Sequence, residues 1–549
     1  MNRILFIIPP YPSFDSFVNP GFNERIVVKK SGNYGNIVTD MPIGLLSLSA
    51  YLKKNTAVEV KLIDFNVILN KIDSFEYKSF PELFQEILSS KEWLDFVPDI
   101  IGISALFAPS YQNMLDIANI ARKIFPNALI TAGGGAAANM YKKIFEDSVA
   151  FDALCYGEGE KPMLGLLKSA DKKEFLKNNH SWITREKAEN KESFQYDFVE
   201  DLDEIPFYDY DLLKTGESKL SPSIDTFTSF DSGKNHFHYA TSRGCPQRCC
   251  FCASHSIHGR KMRYHSLDRI KEDFTRLKNQ FGAHTIAFLD DQFMADKQRA
   301  FKIIEIAKEL KLGIFFLTGL ALYALDKKML QAIKSAGVNQ ITLAIESGSS
   351  RVLKEIMHKP LNLSIVKNVV ADCRQLGMDT DANILIGLPG ETKQDIEESG
   401  QFLKTLDVTW FRIYIATPLV GSELFDICIK NNYLKGNYTD SDFKNAVIET
   451  EDFTVEYIKE KAYFLNLELN FVGNSDFRLG NYNKALEGFE NVMRIKSDHA
   501  FAYYFAAKCC KLMNLEEKYL TYKKKYQEIM EESVTWRNYA KQFNLPLII

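Results

Sequence analysis

Residues 239–252 read Tyr-Ala-Thr-Ser-Arg-Gly-Cys-Pro-Gln-Arg-Cys-Cys-Phe-Cys, a short strand that runs into a loop with cysteines at 245, 249, 250 and 252. Cys245, Cys249 and Cys252 form a Cys-x3-Cys-x2-Cys pattern. Three thiolates on one loop suit three irons of a cubane. Iron–sulfur clusters ordinarily take four cysteines, so the fourth iron is left open for a substrate or cofactor. A structural zinc site is the competing reading. It wants four ligands, and Cys250 or His255 would have to complete the set. The remaining cysteines, at 155, 373, 428, 509 and 510, are scattered. A disulfide framework spreads its cysteines over a small secreted domain, so one tight cluster in 549 residues points to metal or redox chemistry.

Outward from that loop, the spacing predicts strands at Tyr239–Ser242, Thr285–Leu289, Gly313–Thr318, Gln340–Ile345, Asp381–Ile386 and Phe411–Ala416, separated by helices. Six β/α units over 236–431 predict a partial, TIM-like (β/α)6 barrel with its chemistry at the carboxyl ends of the strands. Upstream, residues 1–165 also alternate. Strands are expected at Ile4–Ile8, Val58–Asp64, Ile100–Ser104, Ala128–Ala132 and Phe151–Tyr156, with helices at Pro42–Leu52 and Gln112–Phe125. This is the α/β pattern of a doubly wound, Rossmann-like parallel sheet. Such sheets bind ligands beyond their carboxyl ends, where Ala105–Ser110, Gly133–Asn139 and Gly157–Glu160 fall. A bare tight turn is the alternative account of Gly133–Gly135.

Residues 166–235 are polar and weakly periodic and read as a connector. From 432 to 549 the pattern is all-α, and proline is absent from Val455 until Pro546. Gly480, Tyr482, Ala485, Phe489 and Ala500–Ala507 resemble tetratricopeptide spacing. A plain helical cap is the alternative.

Composition narrows the function classes. The balance of 67 Lys+Arg against 71 Asp+Glu argues against a generic nucleic-acid binder, which needs a surplus of cations. No apolar run approaches the ~18–20 residues of a membrane span. The apolar start is broken by Pro9 and Pro10 and reads as a strand, not a signal peptide, so a cytoplasmic location is expected.

The cysteine spacing resembles the cluster loop of the radical S-adenosylmethionine (SAM) superfamily, and the likeness extends over roughly residues 1–430. The resemblance implies a [4Fe–4S] cluster on Cys245, Cys249 and Cys252, with Cys250 a bystander. Phe251 matches the aromatic residue before the third cysteine. SAM contacts are implied at successive strand ends: Asp290 and Asp291, then Glu346 and Ser347, then Gly387 and Pro389. Thr417–Ser422 ends the sixth strand in the same way. The third strand departs from the pattern, ending Thr318-Gly-Leu-Ala-Leu322 where relatives often carry an arginine-bearing segment.

The amino-terminal motifs PDIIGIS, ITAGGG and YGEGEKP follow the order of the family's cobalamin-binding branch. The implied cobalamin contacts are Leu106, Phe107 and Ala108 on its lower side and Gly133, Gly134 and Gly135 along the nucleotide tail. Gly157 and Glu158 complete the set. The first of nine histidines is His180, so this domain offers cobalt no histidine ligand. A domain kept as scaffold without cobalamin is the alternative.

The implied activity is SAM cleavage to a 5′-deoxyadenosyl radical, serving cobalamin-dependent methylation of an unactivated carbon. Cyclisation, rearrangement or oxidation without methyl transfer is the alternative enzyme reading. An interaction scaffold built on the terminal helices is the alternative of another class. The expected partners are a flavodoxin- or ferredoxin-like reductant and a substrate that is a peptide or carrier-bound molecule.

Overall fold

The structure is a computed structural model that describes all residues except 22–25, 38, 107, 214–234 and 441–444. Phe107 and the end of the connector therefore lie outside the described residues.

The amino-terminal sheet has the order Val58–Asp64, Asn2–Ile8, Ile100–Ser104, Leu129–Gly133, Ala153–Cys155, Trp182–Ile183. The first five strands are parallel and the last is antiparallel. The run Ile4–Ile7 is buried throughout because helices cover both faces: Leu5 and Ile7 enter one apolar core, Ile4 and Phe6 the other. Strand order reverses at Asn2–Ile8, so a crevice opens beyond the ends of that strand and Ile100–Ser104. A hairpin at Ile26–Lys29 and Gly32–Gly35 and helices at Phe80–Leu88 and Lys91–Phe96 add to the expected pattern. Trp182–Ile183, from the stretch expected to be a plain connector, supplies the sheet's sixth strand.

The barrel consists of two parallel triplets: His236–Tyr239, Thr285–Phe288 and Gly313–Phe316, then Gln340–Glu346, Asp379–Ile386 and Trp410–Ile415. A bridge between Leu320 and Leu343 joins them, with the Leu320 N–H donating to the Thr342 carbonyl at 2.8 Å. The first strand lies about three residues earlier than its sequence pattern suggests. Ser242–Arg243 instead pairs antiparallel with Arg263–Tyr264, so the cysteine loop is closed at its base by a two-rung ladder.

Both outer edges of this open barrel are sealed by side chains. On the first strand, the His238 N–H donates to Met41 Sδ at 3.5 Å and its carbonyl accepts from the Tyr210 hydroxyl at 2.6 Å. On the last strand, Asn470 accepts from the Phe411 N–H at 2.7 Å and donates to the Phe411 carbonyl at 2.8 Å, completing pairing that another strand would otherwise supply. Helix Val455–Leu467 places Ile458, Ala462 and Leu465 in the barrel's core. Beyond it, helices Tyr482–Ile495, Ala500–Leu512, Glu516–Glu532 and Val534–Gln542 enclose a separate core around Phe489, Phe501, Phe505 and Trp536. Ala500, Ala502 and Ala506 are buried there, where small side chains let helices approach closely.

Candidate functional site

Cys245, Cys249 and Cys252 are half-buried on the loop after the first barrel strand. Cys250 is only 2% exposed; its N–H donates to the Met357 carbonyl at 3.0 Å and its carbonyl accepts from the Leu424 N–H at 2.8 Å. Backbone pairing turns that one side chain into the barrel core, while half-buried Phe251 packs against the same core. Gly244 begins the loop at φ +90°, and a Cβ there would stand 2.3 Å from the Lys261 carbonyl, so only glycine serves. Asp291 pins both halves of the loop, accepting from the Gly244 N–H at 3.3 Å and the Ser254 hydroxyl at 2.5 Å.

The donor set fits a cluster. Burial pushes the thiols of Cys245 and Cys249 up, and that of Cys252 up to about 11, so their thiolates need the positive charge that bound iron provides. Among the described residues no three His, Cys, Asp or Glu side chains converge on one point as a single metal ion requires. Thiols around a cubane bind separate irons and need not converge.

The strand-end carboxylates have distinct surroundings. Asp290 is fully buried, and its oxygens accept from the Thr241 N–H at 3.0 Å, the Thr241 hydroxyl at 2.6 Å and the Ser242 hydroxyl at 2.5 Å. It ties the first two strands together. Glu346 differs. It follows a bulge, takes φ +68°, and has Lys359 Nζ as a neighbour at 3.5 Å. A non-glycine residue held in that region costs of order 1–3 kcal/mol, a strain that clusters at functional sites. Burial raises its carboxyl while Lys359 opposes the rise, and both groups act on the Cys249 thiol. Glu346 thus joins Asp291 as a strand-end carboxyl group near the cluster loop.

Ser347 shares a hydrogen bond of 2.8 Å with Ser399 and accepts from the Ser349 N–H, shaping the turn after Glu346. Gly387, at φ +90°, donates its N–H to Glu391 at 2.7 Å, and an added Cβ would lie 3.0 Å from Ile458. Its bare face therefore meets the helix Val455–Leu467, and the half-buried Pro389 stands two residues further along the turn. Glu391 is a buried anchor that the sequence reading did not single out.

In the crevice of the amino-terminal sheet, Gly134 and Gly135 let the chain pass close to the preceding loop. A Cβ on either would stand 2.6 Å from the Ala105 carbonyl or 2.8 Å from that of Leu106. Gly133 has more room, with only Cys155 Cβ at 3.7 Å. Ala108 is buried, whereas Leu106 is 60% exposed and presents the apolar surface a corrin face needs. Gly157, at φ +87°, lies against the Tyr196 ring.

Glu158 is engaged by side chains of the barrel domain. It is 4% exposed and bonds Arg263 through both oxygens, at 2.6 and 2.8 Å. Arg243 approaches at 3.1 Å and His258 Nδ1 at 2.8 Å. Burial alone would raise its carboxyl, but Arg243, Arg263 and His258 hold it well below the usual carboxylate range. Glu160 bonds Arg243 at 2.8 Å and the Ser47 hydroxyl at 2.6 Å. Asn139 donates to the Ser256 hydroxyl at 2.8 Å, and the Tyr196 hydroxyl donates to the Ser256 carbonyl at 3.2 Å. None of these pairings stands out in the sequence, because each residue lies 60 to 117 residues from its mate.

Among the described residues no helix is long and apolar enough to cross a membrane. A family profile for the radical SAM superfamily matches residues 239–403, and one for the B12 binding domain matches residues 35–167. The chain is 30% identical over 370 residues to cytidylyl-2-hydroxyethylphosphonate methyltransferase of Streptomyces wedmorensis, covering 62% of this chain and 68% of that protein. It is 28% identical over 465 residues to an uncharacterized methyltransferase of Pyrococcus horikoshii, covering 84% and 91%. In fold it resembles the cobalamin-dependent SAM radical enzyme OxsB with aqua-cobalamin bound, at TM-score 0.59 and 17% identity, over 100% of this chain and 82% of that one. The TsrM methyltransferase of Kitasatospora setae with cobalamin and a [4Fe–4S] cluster is similar at TM-score 0.56 and 14% identity, over 80% of each chain. With both profiles in register with the two sheets, the chain belongs to the radical SAM superfamily, in the branch that carries an amino-terminal B12 binding domain.

Proposed function

We propose that this chain is a cobalamin-dependent methyltransferase that acts on an unactivated carbon. The observation that carries the reading is the meeting of two carboxyl-end loop systems: those of the B12-binding sheet and the cysteine loop of the barrel touch at Asn139–Ser256 and Glu158–His258. A hopanoid C-3 methylase of Methylococcus capsulatus, 24% identical over 389 residues, joins the two methyltransferases above in bearing such a name.

Cys245, Cys249 and Cys252 hold the cluster in this reading. Glu346 takes the SAM ammonium as a salt-bridge partner, with Phe251, Ser347, Gly387 and Pro389 shaping the surrounding wall. Asp290 and Asp291 act from behind, fixing the strand end and the loop. Leu106 offers the apolar face for cobalamin, and Gly133 leaves room for its tail. When bound, cluster and SAM supply radical chemistry and cobalamin supplies a transferable methyl group; the protein aligns them and excludes water. An external flavodoxin- or ferredoxin-like reductant delivers the electrons, and the terminal helices receive a peptide or carrier-bound substrate.

The test is anaerobic reconstitution of the full chain with iron, sulfide and hydroxocobalamin, followed by desalting. About one cobalamin and four irons per chain, with labelled methyl passing from SAM to cobalamin under reduction, are the expected results. A chain that retains the cluster and cleaves SAM but holds no cobalamin refutes the methyltransferase reading.

A further inference from the structure

The contact between the two domains is polar and buried. Arg243 directly precedes Gly244 and Cys245, and Ser256 and His258 follow Cys252 within six residues. Both stems of the cluster loop are thus held by the B12-binding domain. Glu158 and Glu160 grip Arg243, Glu158 also binds His258 and Arg263, and Asn139 binds Ser256. Arg263 is the ladder partner of Arg243 and lies 4.2 Å from the Phe198 ring centroid, which closes the far side.

Interfaces between domains of one chain ordinarily permit relative motion. An apolar contact can slide with little penalty. A carboxylate shared by two guanidiniums and an imidazole has one good geometry, and any displacement leaves a buried charge without its partner. Asn139 extends the same argument to the glycine segment. It ends the short helix that begins at Gly135, so the segment lining the crevice is bonded directly to the cluster loop.

We propose that Glu158 and Asn139 are positioning residues that lock the cluster loop to the B12-binding domain, so that the two cofactors keep one separation and orientation. This rests on the cobalamin reading above. A methyl group handed between cofactors needs that alignment, whereas radical formation at the cluster needs only the barrel. Clamp variants should therefore lose coordination between the cofactors first.

The experiment uses full-length protein reconstituted with cluster and cobalamin, with SAM as the only added ligand. Parent, Glu158→Gln and Asn139→Ala are compared per cofactor-loaded molecule. One readout is the magnetic interaction between Co(II) and the reduced cluster; the other is the ratio of methyl transferred to cobalamin to SAM cleaved. The clamp predicts a broadened interaction and a roughly tenfold lower ratio. A structural role alone would lower melting temperature and cofactor content while leaving both readouts unchanged per loaded molecule, which would overturn the proposal. Should Glu158→Gln fail to fold, Asn139→Ala and Ser256→Ala decide, since each removes the bond between Asn139 and Ser256 together with one local bond, to the Gly135 carbonyl and to the Ala253 carbonyl respectively. Parent protein without cobalamin would instead overturn the underlying reading, a distinct result.

Discussion

Cys250 sits between two thiols of the cluster loop, yet its amide and carbonyl are spent on Met357 and Leu424 and its side chain is enclosed. Replacing Cys245 by Ala should abolish cluster assembly, whereas Cys250→Ala should retain about four irons per chain and cost about 1–3 kcal/mol of stability. Iron analysis beside thermal unfolding separates the two outcomes; loss of iron in Cys250→Ala alone would reverse the assignment. Glu391 offers a second test. Burial pushes its carboxyl up to about 8, against an ordinary value of 4.5, despite donations from the Gly387 and Leu388 amides. Among the described residues its Oε1 meets no hydrogen-bond partner. The folded protein therefore keeps a proton that the unfolded chain gives up. This group's stabilisation is complete below about pH 4.5 and is lost as pH rises to about 8. Glu391→Gln, which preserves the two amide bonds, should flatten that decline. Melting temperatures at pH 5, 6.5 and 8 check it, and parallel curves for parent and variant would count against the buried-proton account.

At the scale of elements, Ile100–Ser104 has the bounds its apolar run announces, because a strand buried on both faces writes itself as continuous hydrophobicity. The first barrel strand is displaced because Thr241 and Ser242 bind Asp290 rather than continuing the barrel, a tertiary event that local pattern does not encode. The cysteine triad is legible because its information is in spacing alone. Arg243 and Glu160 are not legible as a pair, being 83 residues apart. Edge sealing is equally hidden. Asn470 is one polar residue in a helical run, and nothing in the pattern marks it as a surrogate strand. Asn470→Ala should strip Phe411 of both backbone partners and destabilise the protein by about 2–4 kcal/mol. A melting temperature within a degree of the parent would show that water replaces the amide there.

Across the whole molecule, histidines begin only at His180, and His258, which reaches the amino-terminal domain, is engaged by Glu158. Bound Co(II) cobalamin should therefore show no hyperfine splitting from an axial protein nitrogen. A paramagnetic spectrum of the desalted complex reads this directly, and nitrogen splitting would overturn it. The asymmetry of the barrel's two seals also has a consequence in time. Met41 and Tyr210 are synthesised before the strand they protect, so that edge is never bare. Asn470 emerges 59 residues after Phe411. At ~5–20 residues per second, the last strand waits about 3–12 s on the ribosome with an open edge. During that interval the nascent barrel can pair with any exposed strand nearby, which makes Trp410–Ile415 the point where chaperone protection matters most during its birth.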